Sequence, residues 1–111
     1  MFDVSNPEPP PGLNDIRSIR GGRPVWVDLA RAYPLGEPLG IYPHGIDLQA
    51  VVPGDLRMWR RATTGQWVGW CNFKIGGADG AGGSRTSHFV VPNALEPRRE
   101  GATWIDRRNA P

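Results

Sequence analysis

The most sustained alternation of apolar and polar positions lies in two adjoining stretches, residues 56–61 and 66–75. Three of the five tryptophans, Trp59, Trp67 and Trp70, fall inside them. A period of two with aromatic and β-branched residues predicts strand, and the short polar link Ala62-Thr63-Thr64-Gly65 predicts a hairpin turn. A four-residue link sets Arg61 opposite Gln66, Trp59 opposite Val68 and Arg57 opposite Trp70. Leu56, Met58, Trp67, Gly69, Cys71, Phe73 and Ile75 then share an apolar face, which is the expected core. Arg57, Trp59, Arg61, Val68, Trp70, Asn72 and Lys74 share the other, which is basic and aromatic. A three-residue link with Gly65 in a bulge shifts the register by one and mixes the two faces.

The remaining pattern is shorter and more broken. Residues 24–30 alternate, with Val25, Val27 and Leu29 on one face, and predict the first strand. Before them, Asn14 is placed to cap a helical turn over residues 15–20, which Gly21-Gly22 would stop. Residues 33–53 contain Pro34, Pro38, Pro43 and Pro53, a density that leaves one long irregular loop with a short strand near 47–52. A glycine-rich link at residues 76–83 leads into a strand at 85–91, where Phe89 and Val91 suit the core and His88 turns outward with Thr86. That link lacks the Lys-Ser/Thr pair and following helix that a phosphate-binding loop requires. Residues 92–97 predict a single closing turn. The expected organisation is therefore a Pro-rich N-terminal arm with a short helical turn (1–23), a β body (24–97) and a basic tail (98–111).

Composition narrows this picture. With 111 residues the chain is one domain at most, and 15 Gly with 12 Pro leave little room for long helices. The formal charge is +2, and the four arginines of the tail against Glu100 and Asp106 account for all of it. One cysteine and two histidines cannot make a structural zinc site, so no metal or other cofactor is expected. No apolar run approaches the roughly 18 residues of a membrane span, and a basic-then-apolar leader is lacking; a cytoplasmic protein without a membrane partner is expected.

The order of these signals resembles that of the SH3-like small β-barrels over about residues 24–97. A first strand at 25–29 is followed by a long irregular loop, then Gly54-Asp55-Leu56 leading into a strand. After a turn comes a Trp-led strand containing a glycine, Trp67-Val68-Gly69, and a Pro-started turn, Val91-Pro92-Asn93-Ala94-Leu95, closes the set. The resemblance implies a mainly β fold, a small antiparallel barrel with irregular N- and C-terminal arms. Two departures from the eukaryotic peptide-binding members stand out. Ala94-Leu95 replaces the aromatic residue of the closing turn, and Glu37 and Asp47 are the only acids in the long loop. The chain looks more like the bacterial and phage users of this fold.

The expected function is a non-catalytic module that binds a protein partner through the long loop, around Tyr42 and His44, and through the outer hairpin face. The candidate contact residues are Tyr42, His44, Arg57, Trp59, Arg61, Trp70, Lys74 and His88. A nucleic-acid-binding barrel is the first alternative, with Arg57, Arg61, Lys74 and the tail on phosphates and Trp59 or Trp70 stacked on bases. A structural or assembly subunit, of a virion or plasmid-encoded, is the second. Against all three stands the bland reading, that the N-terminal arm or Trp104 covers the outer tryptophans. Catalysis has little to rest on: Cys71 falls on the apolar face, where a free cysteine is usually an inert packing residue.

Overall fold

The computed structural model describes residues 15–80 and 82–99. Five antiparallel strands form one sheet in the order β4-β3-β2-β1-β5. They are β1 (Ile16–Asp28), β2 (Val51–Arg61), β3 (Trp67–Ile75), β4 (Ser84–Val90) and β5 (Leu95–Pro97). A short helix, α1 (Leu29–Ala32), follows β1, and a 3₁₀ turn, Pro92–Ala94, joins β4 to β5. The fold is mainly β, and no pairing between the edge strands β4 and β5 closes the sheet among the described residues.

The first strand begins earlier than its alternation suggested. Residues 16–20 are strand, not a helical turn, because Ile16, Arg17 and Ser18 find partners in Arg60, Trp59 and Met58 of β2. Gly21 and Gly22 stop nothing. They take positive φ values of 75° and 74° and form a bulge between the two halves of β1. The neighbouring strand bulges at the same level, where Arg57 is inserted between the pairs Leu56–Cys71 and Met58–Trp70. A Cβ on Gly22 would lie 2.9 Å from Arg57 Nη1, so the Arg57 side chain lies across the glycine. Paired bulges bend a sheet sharply and raise its twist, which lets this one wrap around its own core.

Asp28 caps α1, its carboxylate accepting the backbone N–H groups of Ala30 at 3.1 Å and Arg31 at 3.4 Å. Arg31 then reaches the 3₁₀ turn and donates to the Asn93 carbonyl at 3.1 Å. The buried core comprises Val25, Val27, Leu29, Leu56, Trp59, Cys71, Phe73, Val90, Ala94 and Leu95. Every strand contributes to it, so no single hairpin can fold independently of the rest.

The bulge at Arg57 corrects the expected faces. From Gly54 to Leu56 the hairpin has the register of a four-residue link, with Leu56 opposite Cys71. Beyond the bulge the register is one residue out: Met58 faces Trp70, Trp59 faces Gly69 and Arg61 faces Trp67. Ala62 N–H donates to the Gln66 carbonyl at 2.7 Å and Gly65 takes φ 95°, so the turn proper is residues 63–65, the three-residue link that shifts the register by one. Trp59 therefore points inward and is 1% exposed, a core residue and not a contact residue. Met58 moves to the outer face. In β4 it is Val90 that is buried, while Phe89 is 49% exposed and Val91 43%. His88 pairs with Cys71 and so shares the parity of the inner face, yet at the sheet edge it remains exposed.

Candidate functional site

Three surfaces carry the side chains that suit binding. The first is the long loop between α1 and β2. It holds five exposed large apolar residues: Leu35, Leu39, Ile41, Tyr42 and Ile46, with Leu39 at 96% and Ile41 at 93%. The loop is nonetheless anchored. The Tyr42 carbonyl accepts the Gly45 N–H at 3.0 Å, and the Gly45 carbonyl accepts the Ala78 N–H at 2.9 Å. Asp47 N–H donates to the Gly76 carbonyl at 2.9 Å, and Ile46 bridges to Gly77. His44 Nδ1 lies 3.4 Å from an Asp79 carboxylate oxygen across the same junction. Tyr42 and His44 thus sit side by side on a loop whose backbone is tied to the β3–β4 connection. The prolines that forbid regular structure there also limit the conformations the loop gives up on binding.

The second is a cleft of about 540 Å³ at the other end of β3, lined by Ala62, Trp67, Val68, Val91 and Pro92 among others. It exists because β4 stops at Val90, opposite Gly69, and leaves the first residues of β3 without a strand neighbour on that side. Two arginines lie against the Trp67 ring, Arg61 at 4.5 Å and Arg17 at 5.2 Å from its centroid. Arg61 also contacts Asp15, through its backbone N–H at 2.8 Å and its Nε at 3.5 Å. Trp67 is half-buried: it packs against the core from below and forms the cleft wall above.

The third is the outer face of β3 and β4. Three rungs cross it in register: Lys74 beside Arg85, Asn72 beside Ser87, and Trp70 beside Phe89. The Trp70 and Phe89 rings are 4.7 Å apart and tilted by 56°. The Ser87 hydroxyl bonds the Asn72 side chain. A basic rung, a polar rung and an aromatic rung thus succeed one another along one ladder.

The expected contact residues are divided among these places rather than united. Tyr42 and His44 belong to the loop, Arg61 to the cleft, and Trp70 and Lys74 to the outer ladder. Arg57 lies in the bulge, Trp59 is core, and His88 stands beside Tyr33 with ring centroids 6.4 Å apart. Sequence reasoning missed Phe89, Val91 and Arg85 as surface groups and Arg17 as a partner of Trp67. It also missed Trp26, which has outer-face parity but is only 6% exposed, with Arg98 5.7 Å from its ring centroid. Arg98 itself donates to the carbonyls of Val25 at 3.1 Å and Gly54 at 3.3 Å. The expected cover of the outer face by the N-terminal arm or by Trp104 concerns residues outside those described.

Cys71 is fully buried and donates weakly to the Gly69 carbonyl at 3.5 Å. Burial, and then the negative charge of Asp55, push its thiol up to about 12. The unfolded chain releases this proton near 9.0 while the folded chain retains it to about 12, so stability falls as pH rises between these values. Burial also raises the Tyr33 phenol, which adds in the same direction above 10.0. Cys71→Ala should therefore flatten the loss of stability over this window, by up to ~1.4 kcal/mol per pH unit. Urea titrations of both proteins at several alkaline pH values check this; parallel slopes would refute it.

Among the described residues no group of three or more His, Cys, Asp or Glu is placed to hold a metal, and no helix is long and apolar enough to cross a membrane. Comparison with family models, curated proteins and solved structures finds no match to the chain.

Proposed function

We propose that the chain is an SH3-like small barrel acting as a non-catalytic interaction module, with the long loop as its principal contact for a protein partner. The fold reading draws support from the succession of first strand, long loop, β2–β3 hairpin, short β4, Pro-led 3₁₀ turn and closing β5. One observation carries the functional reading: five large apolar side chains stand in solvent on a loop whose backbone is pinned at Gly45 and Asp47. Large apolar side chains gathered in solvent on one anchored loop are the kind of surface an interaction site uses. A non-catalytic role accords with a Cys71 thiol that is buried and held protonated, since the thiolate is the nucleophile.

The outer ladder of β3 and β4 favours a second reading, in which Trp70 and Phe89 meet bases while Lys74 and Arg85 meet phosphates. One experiment addresses both. A photo-crosslinking amino acid is placed at Ile41, at Phe89 or, as an exposed control, at Arg20, and the protein is irradiated in the cells that make it. The expected result is a discrete protein adduct from Ile41 that Leu39→Asp abolishes and that Arg20 does not give. Absence of a protein adduct from Ile41, or equal adducts from Arg20, overturns the proposal. A nuclease-sensitive adduct from Phe89 alone would replace it with the second reading.

A further inference from the structure

The loop and the cleft are complementary surfaces that one chain cannot bring together. The segment from Tyr42 to Asp47 is fixed to Gly76, Gly77 and Ala78, beyond the C-terminal end of β3. The cleft lies at the N-terminal end of the same strand, around Trp67 and Val68. At the usual rise of a strand, the run from Trp67 to Gly77 spans about 30 Å. A rigid strand therefore holds the two apart.

Their chemistry matches. The cleft offers an indole wall, two valines and a proline, with an opening that an extended segment can enter from the unpaired edge of β3. Its lining holds no charged residue, but three arginines adjoin that lining: Arg17 and Arg61 lie against Trp67, and the exposed Arg60 is paired with Val68. Residues 34–43 of the loop are without regular structure, contain three prolines, expose Leu35, Leu39, Ile41 and Tyr42, and carry Glu37 as their single charge. Proline-containing extended segments lose little conformational entropy on docking and suit aromatic-walled grooves. An apolar, singly acidic segment thus matches a largely apolar cleft with arginines beside it.

We infer that the partner of the loop is a second copy of this chain, whose Trp67 cleft receives residues 34–43, with Glu37 toward the arginines that adjoin Trp67 and Val68. This rests on the interaction-module reading above and supplies its partner. Because knob and hole are different patches at opposite ends of β3, two antiparallel copies that exchange both contacts close as a two-fold dimer, and copies that share one contact with each neighbour form a ring or a filament.

The test is sedimentation velocity of the full chain across a wide range of concentration. The wild type should gain average mass as concentration rises. Leu39→Asp/Ile41→Asp, which spoils the knob, and Val91→Asp, which spoils the hole, should each stay monomeric. Asn93→Trp, which fills the cleft without adding charge, should do the same and covers the case in which Val91→Asp disturbs folding. The decisive sample is an equimolar mixture of the knob and hole variants. One intact knob and one intact hole remain between them, so they should form a heterodimer and nothing larger. A wild type that stays monomeric, association that survives these substitutions, or a mixture that remains monomeric would each overturn the inference. So would association seen only after residues 1–14 are removed, since the cleft would then belong to the chain's own N-terminal segment. If Ile41 crosslinks to a different protein while the wild type is monomeric, this inference falls and the interaction-module reading stands. If Ile41 gives no protein adduct, both fall.

Discussion

Trp59→Ala is expected to cost about 3–5 kcal/mol and to leave little of the chain folded. The ring is almost wholly enclosed and belongs to the same buried cluster as Leu56, Cys71, Leu95 and Leu95's strand partner, Val27. Alanine would leave a large cavity that a core drawn from all five strands cannot collapse to fill. Trp70→Ala should cost much less, since it removes a half-buried ring and a contact with Phe89 worth about 0.5–1.5 kcal/mol beyond the area lost. Urea midpoints for the two variants measure the difference. Equal losses, or the reverse order, would mean that the Arg57 bulge is misplaced, because that bulge alone decides which tryptophan faces inward.

Gly54→Ala is the second change with a large expected effect, a loss of about 1–3 kcal/mol from overpacking. Gly54 lies between Val25 of β1 and Phe73 of β3. A Cβ there would lie 2.9 Å from the Asn72 carbonyl oxygen, 3.0 Å from Val27 Cγ2 and 3.3 Å from Phe73 Cβ. The nearest atom is backbone in the adjoining strand, so relief requires the ladder itself to move. Gly69 makes the useful contrast. Its added Cβ would come within 2.7 Å of Leu56 Cδ1 and 3.1 Å of Leu95 Cδ1, both ends of side chains that can rotate away. Thermal melts should therefore rank Gly54→Ala below Gly69→Ala. A Gly54→Ala protein as stable as wild type would show that β2 and β3 are farther apart here than the structure has them.

For binding, the functional groups are spread over an anchored apolar loop, a Trp67-walled cleft and an outer ladder of paired side chains. Only the loop was legible in outline before the structure, because its prolines exclude regular elements and the excluded region holds Tyr42 and His44. The cleft was not legible. It arises from an absence, the end of β4 at Val90, and from Arg17, which lies fifty positions before Trp67 in the chain and reaches it through strand pairing. The ladder was half legible: Trp70, Asn72 and Lys74 have the expected parity, but their partners Phe89, Ser87 and Arg85 depend on the pairing of β3 with β4.

The sequence by itself determined that the chain is mainly β, that β2 and β3 form a hairpin, that residues 33–46 lack a strand or long helix, and that a Pro-led turn follows β4, whereas the short strand expected near 47–52 is only the start of β2 at Val51. These follow from local physics: side-chain periodicity, the fixed φ of proline and the turn chemistry of Gly65. Tertiary structure decided which face each residue takes. Alternation specifies a face only while the register is unbroken, and a single inserted residue inverts everything beyond it. At Arg57 that inversion carried Trp59 into the core and Met58 out of it. The turn at Gly65 carries the local hint of a shifted register, but the place where the shift is absorbed, Arg57, shows only in the sheet, level with the bulge at Gly21 and Gly22 on β1.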